Sequence, residues 1–197
     1  GIVALLGLGT SRAQDMEMAP ATNRTLLLVV GSGKAPADPS ITARPFAETD
    51  ATNLHKLLTD GAHAKIAPGD SKLLVGAEAT RENTLNGLNW LAEQAKPGDT
   101  VLLAMFCQGG PLGDSGDRRC YFLSDSTFAG RDKNALGESE ITDALKNLKS
   151  DRFAVFLDVN FKGYTTTAKG IAEPSLGQTP YREFLGDDGT DDHGASP

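Results

Sequence analysis

Cysteine is scarce: two in 197 residues, Cys107 and Cys120. That count excludes a fold held by a disulfide scaffold. It leaves two readings of the pair, one bridge across a short loop or two unrelated buried thiols, because spacing alone does not give the distance a bridge needs. Long apolar runs are also missing. No stretch of about 18 apolar residues occurs, so no membrane-spanning helix is expected. Basic residues are outnumbered, 19 against 26, giving a net charge of -7. Nucleic-acid binding, which needs clustered Lys and Arg against phosphate, is therefore not expected. Histidine numbers only three, His55, His63 and His193, and sequence places none beside a cysteine. There is no internal repeat.

The chain has enough residues for one domain with its own core, and 39% hydrophobic against 23% charged is a soluble globular balance. Near-continuous apolar runs at 25–31, 100–106 and 153–159 read as strands buried on both faces, and a shorter one at 72–77 as another strand. Helical stripes fall between them. Ala47, Ala51, Leu54 and Leu58 form one, Leu85, Leu88, Ala92 and Ala95 a second, and Ile141, Ala144, Leu145 and Leu148 a third. Thr80 is the expected N-cap of the second helix, and Pro97-Gly98 its stop. The alternation predicts an α/β domain with a mainly parallel sheet. A Gly- and Asp-rich excursion at 109–127, with "CYFL" inside it, predicts a loop or hairpin at the sheet rim.

The N-terminus, "GIVALLGLGTSRAQD", is apolar and then small and polar. It reads as the remnant of a signal peptide ending at Ala13, which predicts export; a flexible arm is the alternative. Residues 1–23 are accordingly set aside as leader and linker, 24–186 as the domain and 187–197 as an acidic tail. Asp187, Asp188, Asp191 and Asp192 in that tail read as solvated.

In an open parallel sheet, ligands sit outside the carboxyl ends of the strands. "GSGKAP" after the first strand meets neither phosphate-binding motif. Pro36 stands where a dinucleotide fingerprint needs glycine, and Gly33-Lys34 is followed by Ala35. A glycine turn is the expected reading. Asp114, Asp117 and Asp125 offer hard oxygens for Ca²⁺ or for a basic side chain, but lack EF-hand spacing; a solvated acidic loop is expected. Trp90 fits the helical stripe poorly and is expected to pack while partly exposed. No metal and no cofactor is expected.

One ordered set of segments carries more. "ATRENTLNGLNWLAEQAKPGDTVLLAMFCQGG" (79–110) is followed by a hairpin, a helix and "FAVFLDVNFKG" (153–163), with "LLLVVGSG" and "ETDATNLHKLL" ahead of it. From residue 24 to 163 this order resembles the caspase-like cysteine peptidases, the caspase, metacaspase and paracaspase group. The resemblance implies a three-layer fold with helices on both faces of a mainly parallel sheet. It also implies a His-Cys dyad in which a thiolate attacks the peptide carbonyl. Phe106-Cys107-Gln108-Gly109-Gly110 lies on the His motif and puts Gly109 at the His position. Asp158-Val159-Asn160-Phe161-Lys162-Gly163 lies on the Cys motif and puts Asn160 at the Cys position. Both reactive side chains are gone, while Phe106, Gly110, Asp158 and Gly163 remain as groove residues, with Cys107 among them. An amide nitrogen is not a nucleophile and glycine moves no proton, so the family's acyl-enzyme route is closed on these positions. The leading expectation is a pseudo-peptidase that binds a peptide or a protein, with a homodimer as a further partner class. An active peptidase with Cys107 as relocated nucleophile, and a structural module of a larger exported protein, are the alternatives.

Overall fold

The computed structural model describes residues 24–62, 64–113, 116 and 118–161. The leader, the acidic tail, His63, His193, Asp114, Asp117 and Gly163 lie outside them.

The first apolar run forms β1, Thr25–Gly31, and the first stripe forms α1, Ala47–Thr59. Then follow β2 (Ser71–Val75), α2 (Arg81–Gln94) and β3 (Thr100–Leu112). The excursion supplies β4 (Arg118–Phe122), a one-turn α3 (Arg131–Asn134) and a two-residue β5 (Leu136–Gly137). The chain continues into α4, Glu138–Lys146, and β6, Arg152–Asn160. The order is the alternating one that the sequence predicts. Strands β2, β1, β3 and β6 run parallel, while β4 and β5 extend the sheet antiparallel. This is a mixed α/β protein with a mostly parallel central sheet.

Alternate residues of β1 explain how the two faces are covered, since successive strand side chains point to opposite sides. Leu26, Leu28 and Val30 pack with Leu88 and Leu91 of α2 and with Ile141 and Leu145 of α4. Leu27 and Val29 pack instead with Ala51, Leu54 and Leu58 of α1. From β3, Val101, Leu103, Met105 and Cys107 join the α2/α4 side, and Leu102, Ala104 and Phe106 the α1 side.

Caps and turns follow the local chemistry. Thr80 has extended backbone and its hydroxyl accepts from the Asn83 amide at 3.1 Å, as an N-cap does. Asp99, which precedes β3, is wholly buried. Its carboxylate accepts from the Lys96 and Arg24 amides and pairs with the Arg24 guanidinium at 3.1 Å. That cluster ties the starts of β1 and β3 together. Gly31 answers a close approach: a β-carbon there would lie 2.6 Å from Ala51 Cβ and 2.8 Å from the Ala47 carbonyl. Glycine lets α1 lie directly on the end of β1.

Candidate functional site

Two strand positions set the geometry. In the β3–β6 ladder Phe106 is opposite Asp158, and Gln108 is opposite Asn160. These four share the α1 face. Gly109 is one residue further along β3 and faces the other way. There the Phe161 ring fills its place: a β-carbon on Gly109 would lie 2.3 Å from the ring. Phe161 also meets Tyr121 edge to face at 6.3 Å, and the Arg119 guanidinium sits 5.4 Å from its centre. The two positions that the resemblance singles out, Gly109 and Asn160, are thus close in the ladder but face opposite sides of the sheet. One lies beneath an aromatic ring and the other beside Gln108.

The sequence reads "FCQGGPL" as a strand end followed by a loop. The structure runs β3 on to Leu112, because Gln108 to Leu112 pair with Phe122 to Arg118 of β4. Gly110 is therefore buried inside a two-strand ladder opposite Cys120 and is not part of an open groove. Cys107 lies wholly inside the α2/α4-side core. Burial pushes its thiol up to about 12, because a thiolate in an apolar core has no water to solvate it. Cys120 sits in a separate cluster with Ala35, Ile41 and Phe122, and burial raises it likewise to about 12. The two are free, buried thiols, and of the two readings left open by the sequence, the unbridged one holds.

His55, the one histidine among the described residues, sits on α1 with its Nε2 3.2 Å from Ser71 Oγ. Desolvation lowers its pKa. The sheet lies between α1 and the core that holds Cys107. Asp125 is occupied as a cap, accepting from the Arg81 amide at 3.0 Å. Trp90 is half-buried with Lys72 Nζ 5.0 Å from its ring centre, the packing role expected of it. Among the described residues no group of three or more His, Cys, Asp or Glu could hold a metal, and no helix is long and apolar enough to cross a membrane.

At the strand ends the α1 face is exposed on the β6 side, where the Asp158 side chain is half-exposed, and enclosed at Gln108 of β3. Arg44, in the loop after β1, donates to Asp158 Oδ1 at 2.9 Å and to the Cys107 carbonyl at 3.4 Å. Its own amide donates to the Gly33 carbonyl at 2.7 Å. Arg44 thus spans from the β1 turn across the end of β3 to β6. Phe106, opposite Asp158 in the ladder, is half-buried, and Phe156, two residues before Asp158 on the same face, is 54% exposed. Arg44 is the residue that sequence reasoning missed. It lies more than a hundred positions from Asp158, and only the sheet brings them together. The candidate surface is therefore Arg44, Phe106, Phe156 and Asp158: a guanidinium–carboxylate pair beside two aromatic rings. Such a surface suits an extended segment with both polar and apolar groups. It contains no nucleophile paired with a base. Grooves of about 400 Å³ along Arg118, Arg119, Ser139 and Lys146, and of about 350 Å³ along Leu58, Ile66 and Leu102, lie apart from it.

No family model matches the chain, and no curated protein is a match. Among solved structures, the crystal structure of protein GSU0716 from Geobacter sulfurreducens is similar, with a TM-score of 0.54 and 19% identity. The likeness covers 72% of this chain and 52% of that one, so this chain spans about half its length. At that identity it bears on the fold alone, and it agrees with the α/β architecture.

Proposed function

We propose that this is a caspase-like domain without peptidase chemistry, acting by binding a peptide or a protein segment at the ends of its parallel strands. The observation that carries the reading is the pair Gly109 and Asn160. Neither supplies a base or a nucleophile, and Phe161 occupies the space a side chain at 109 would need. The element order and the mostly parallel sheet support the fold half of the reading. The burial of Cys107 supports the binding half, since a thiol held up to about 12 supplies almost no thiolate near neutral pH.

The binding surface is the Arg44–Asp158 bridge with Phe106 and Phe156. Export of the protein, expected from residues 1–13, belongs to this proposal as well and is testable by mass spectrometry of the mature N-terminus.

Affinity selection from a library of extended peptides, with the full chain immobilised, tests the binding reading. Wild type is expected to enrich a related set of sequences. Arg44→Ala is expected to weaken that binding about tenfold, as the loss of one charge-assisted contact does. Enrichment of nothing, or binding indifferent to Arg44, contradicts it.

A further inference from the structure

Residues 33–44, between β1 and α1, contain no helix or strand, yet they are held at their ends and in their middle. The ends meet where the Arg44 amide donates to the Gly33 carbonyl at 2.7 Å. Between them the Asp38 amide donates to the Ala35 carbonyl at 3.0 Å, and the Ile41 amide to the Asp38 carbonyl at 3.1 Å. A surface loop with joined ends and turns of its own is a compact unit. Of its side chains only Ala35 and Ile41 are buried, and they enter neither of the cores beneath the helices. They pack with Leu112 of β3, Cys120 and Phe122 of β4, Ala135 and Phe128. The loop therefore rests on the excursion beyond the sheet.

Asp38 makes that contact directional. Its Oδ2 accepts from the Phe128 amide at 2.8 Å. Its Oδ1 accepts from the Ser40 hydroxyl at 2.6 Å and the Ser40 amide at 3.0 Å. The Ser40 hydroxyl, then the Phe128 and Ser40 amides, hold the Asp38 carboxyl below the usual carboxylate range, so the bonds are made to a charged acceptor. The anchor at Phe128 is itself fixed. The Arg131 guanidinium lies 4.5 Å from the Phe128 ring centre and donates to the Phe128 carbonyl at 2.9 Å and the Pro111 carbonyl at 2.8 Å. Asp38 thus ties the loop, through Phe128 and Arg131, to the far end of β3.

Arg44 stands at the exit of this loop, before Pro45, which has no amide to add to the stem. One hydrogen bond to Gly33 closes the loop but leaves it free to swing about that bond, and apolar contacts at Ala35 and Ile41 are not directional. We propose that Asp38 is a positioning residue for Arg44: by fastening the middle of the loop to Phe128, it fixes the root from which the guanidinium reaches Asp158 and the Cys107 carbonyl. An arginine with a fixed root has less freedom to lose when a ligand meets it. For the ligand the inference rests on the binding reading above; for the placement of Arg44 it rests on the loop alone.

Two readouts on the full chain test it. The first is the NMR signal set of the Arg44 guanidinium, assigned by its loss in Arg44→Lys. Wild type is expected to give separate Nη signals, because a guanidinium held by a carboxylate rotates slowly. Asp38→Ala is expected to merge them while the backbone spectrum stays that of a folded chain. Asp38→Asn, which keeps an oxygen for the Phe128 amide, is expected to keep them apart. The second readout is affinity for a peptide enriched on wild type. Asp38→Ala is expected to weaken it about fivefold, within the range for coupled neighbours, with most of the loss recovered in Asp38→Asn and no further loss when Asp38→Ala is added to Arg44→Ala. Arg44 signals unchanged by Asp38→Ala overturn the proposal, as does an affinity loss of equal size with and without Arg44. If selection enriches no peptide while the Arg44 signals follow Asp38 as stated, the binding reading fails and the positioning role stands.

Discussion

Gly109 and Cys107 stand two positions apart on one strand face, and burial governs both. Gly109→His places an imidazole where the Phe161 ring now lies. It is expected to destabilise the protein by about 1–3 kcal/mol, the usual range for overpacking, read as a shift in a urea midpoint. Adding Phe161→Ala should recover part of the loss. If it does not, the ring is not what fills the site. Cys107 and Cys120 give a pH signature. Each thiol rises from an ordinary value of 9.0 to about 12 on folding. Below 9 both forms of the chain hold the protons, and the burial of neutral thiols contributes fully. As pH rises from 9 toward 12 the unfolded chain releases protons that the folded one keeps, so stability falls. Denaturant melts from pH 8 to 11 are expected to follow that slope, less steeply in Cys107→Ala. A slope unchanged by the substitution contradicts the assignment. The identity of residues 109 and 160 was legible in the sequence, but their facing was not. A one-residue offset between the two strands decides it, and that register exists only in the paired sheet.

The elements themselves were largely written in the chain. Apolar runs gave β1, β2 and β6 nearly to the residue, but burial on both faces holds for β1 and not for β6, whose residues are half-exposed or exposed, and β2 is likewise only half-buried. Thr80 marked the start of α2 through a hydroxyl that caps the first turn. Thr80→Ala is expected to lose about 1 kcal/mol, with the helix kept in circular dichroism. The end of β3 was not legible. Glycine and proline in "CQGGPL" are turn residues by habit, and only the ladder to β4 makes them strand. Asp99 carries a larger expectation. Its wholly buried carboxylate serves two amides and the Arg24 guanidinium. Asp99→Ala strands those donors and is expected to lower stability by about 2–4 kcal/mol, against about a few tenths for Asp143, an exposed residue of α4 paired only with Lys146 across one turn. A small effect at Asp99 contradicts the role given to that cluster.

At the scale of the whole molecule, the sheet brings the ends of β1, β3 and β6 into one open rim. Arg44, Phe106 and Asp158 meet there from segments far apart in sequence, with Phe156 two residues back along β6. Alternation of strands and helices predicts such a rim, because parallel strands point their carboxyl ends the same way. It does not predict its furnishings. Cys107 and Gly110, placed in a groove by motif, are enclosed, the one by α2 and α4, the other by β4. Among the described residues the pattern of enclosure leaves polar and apolar contact groups at the rim and no paired nucleophile and base. The account therefore rests on the claim that the domain binds without cleaving. Incubation of the purified full chain with a mixed peptide library, followed by mass spectrometry for new termini, tests that claim most directly. The account predicts no cleavage above that of a heat-unfolded control. Cleavage by wild type that disappears in Cys107→Ala would contradict it and return the chemistry to the thiol.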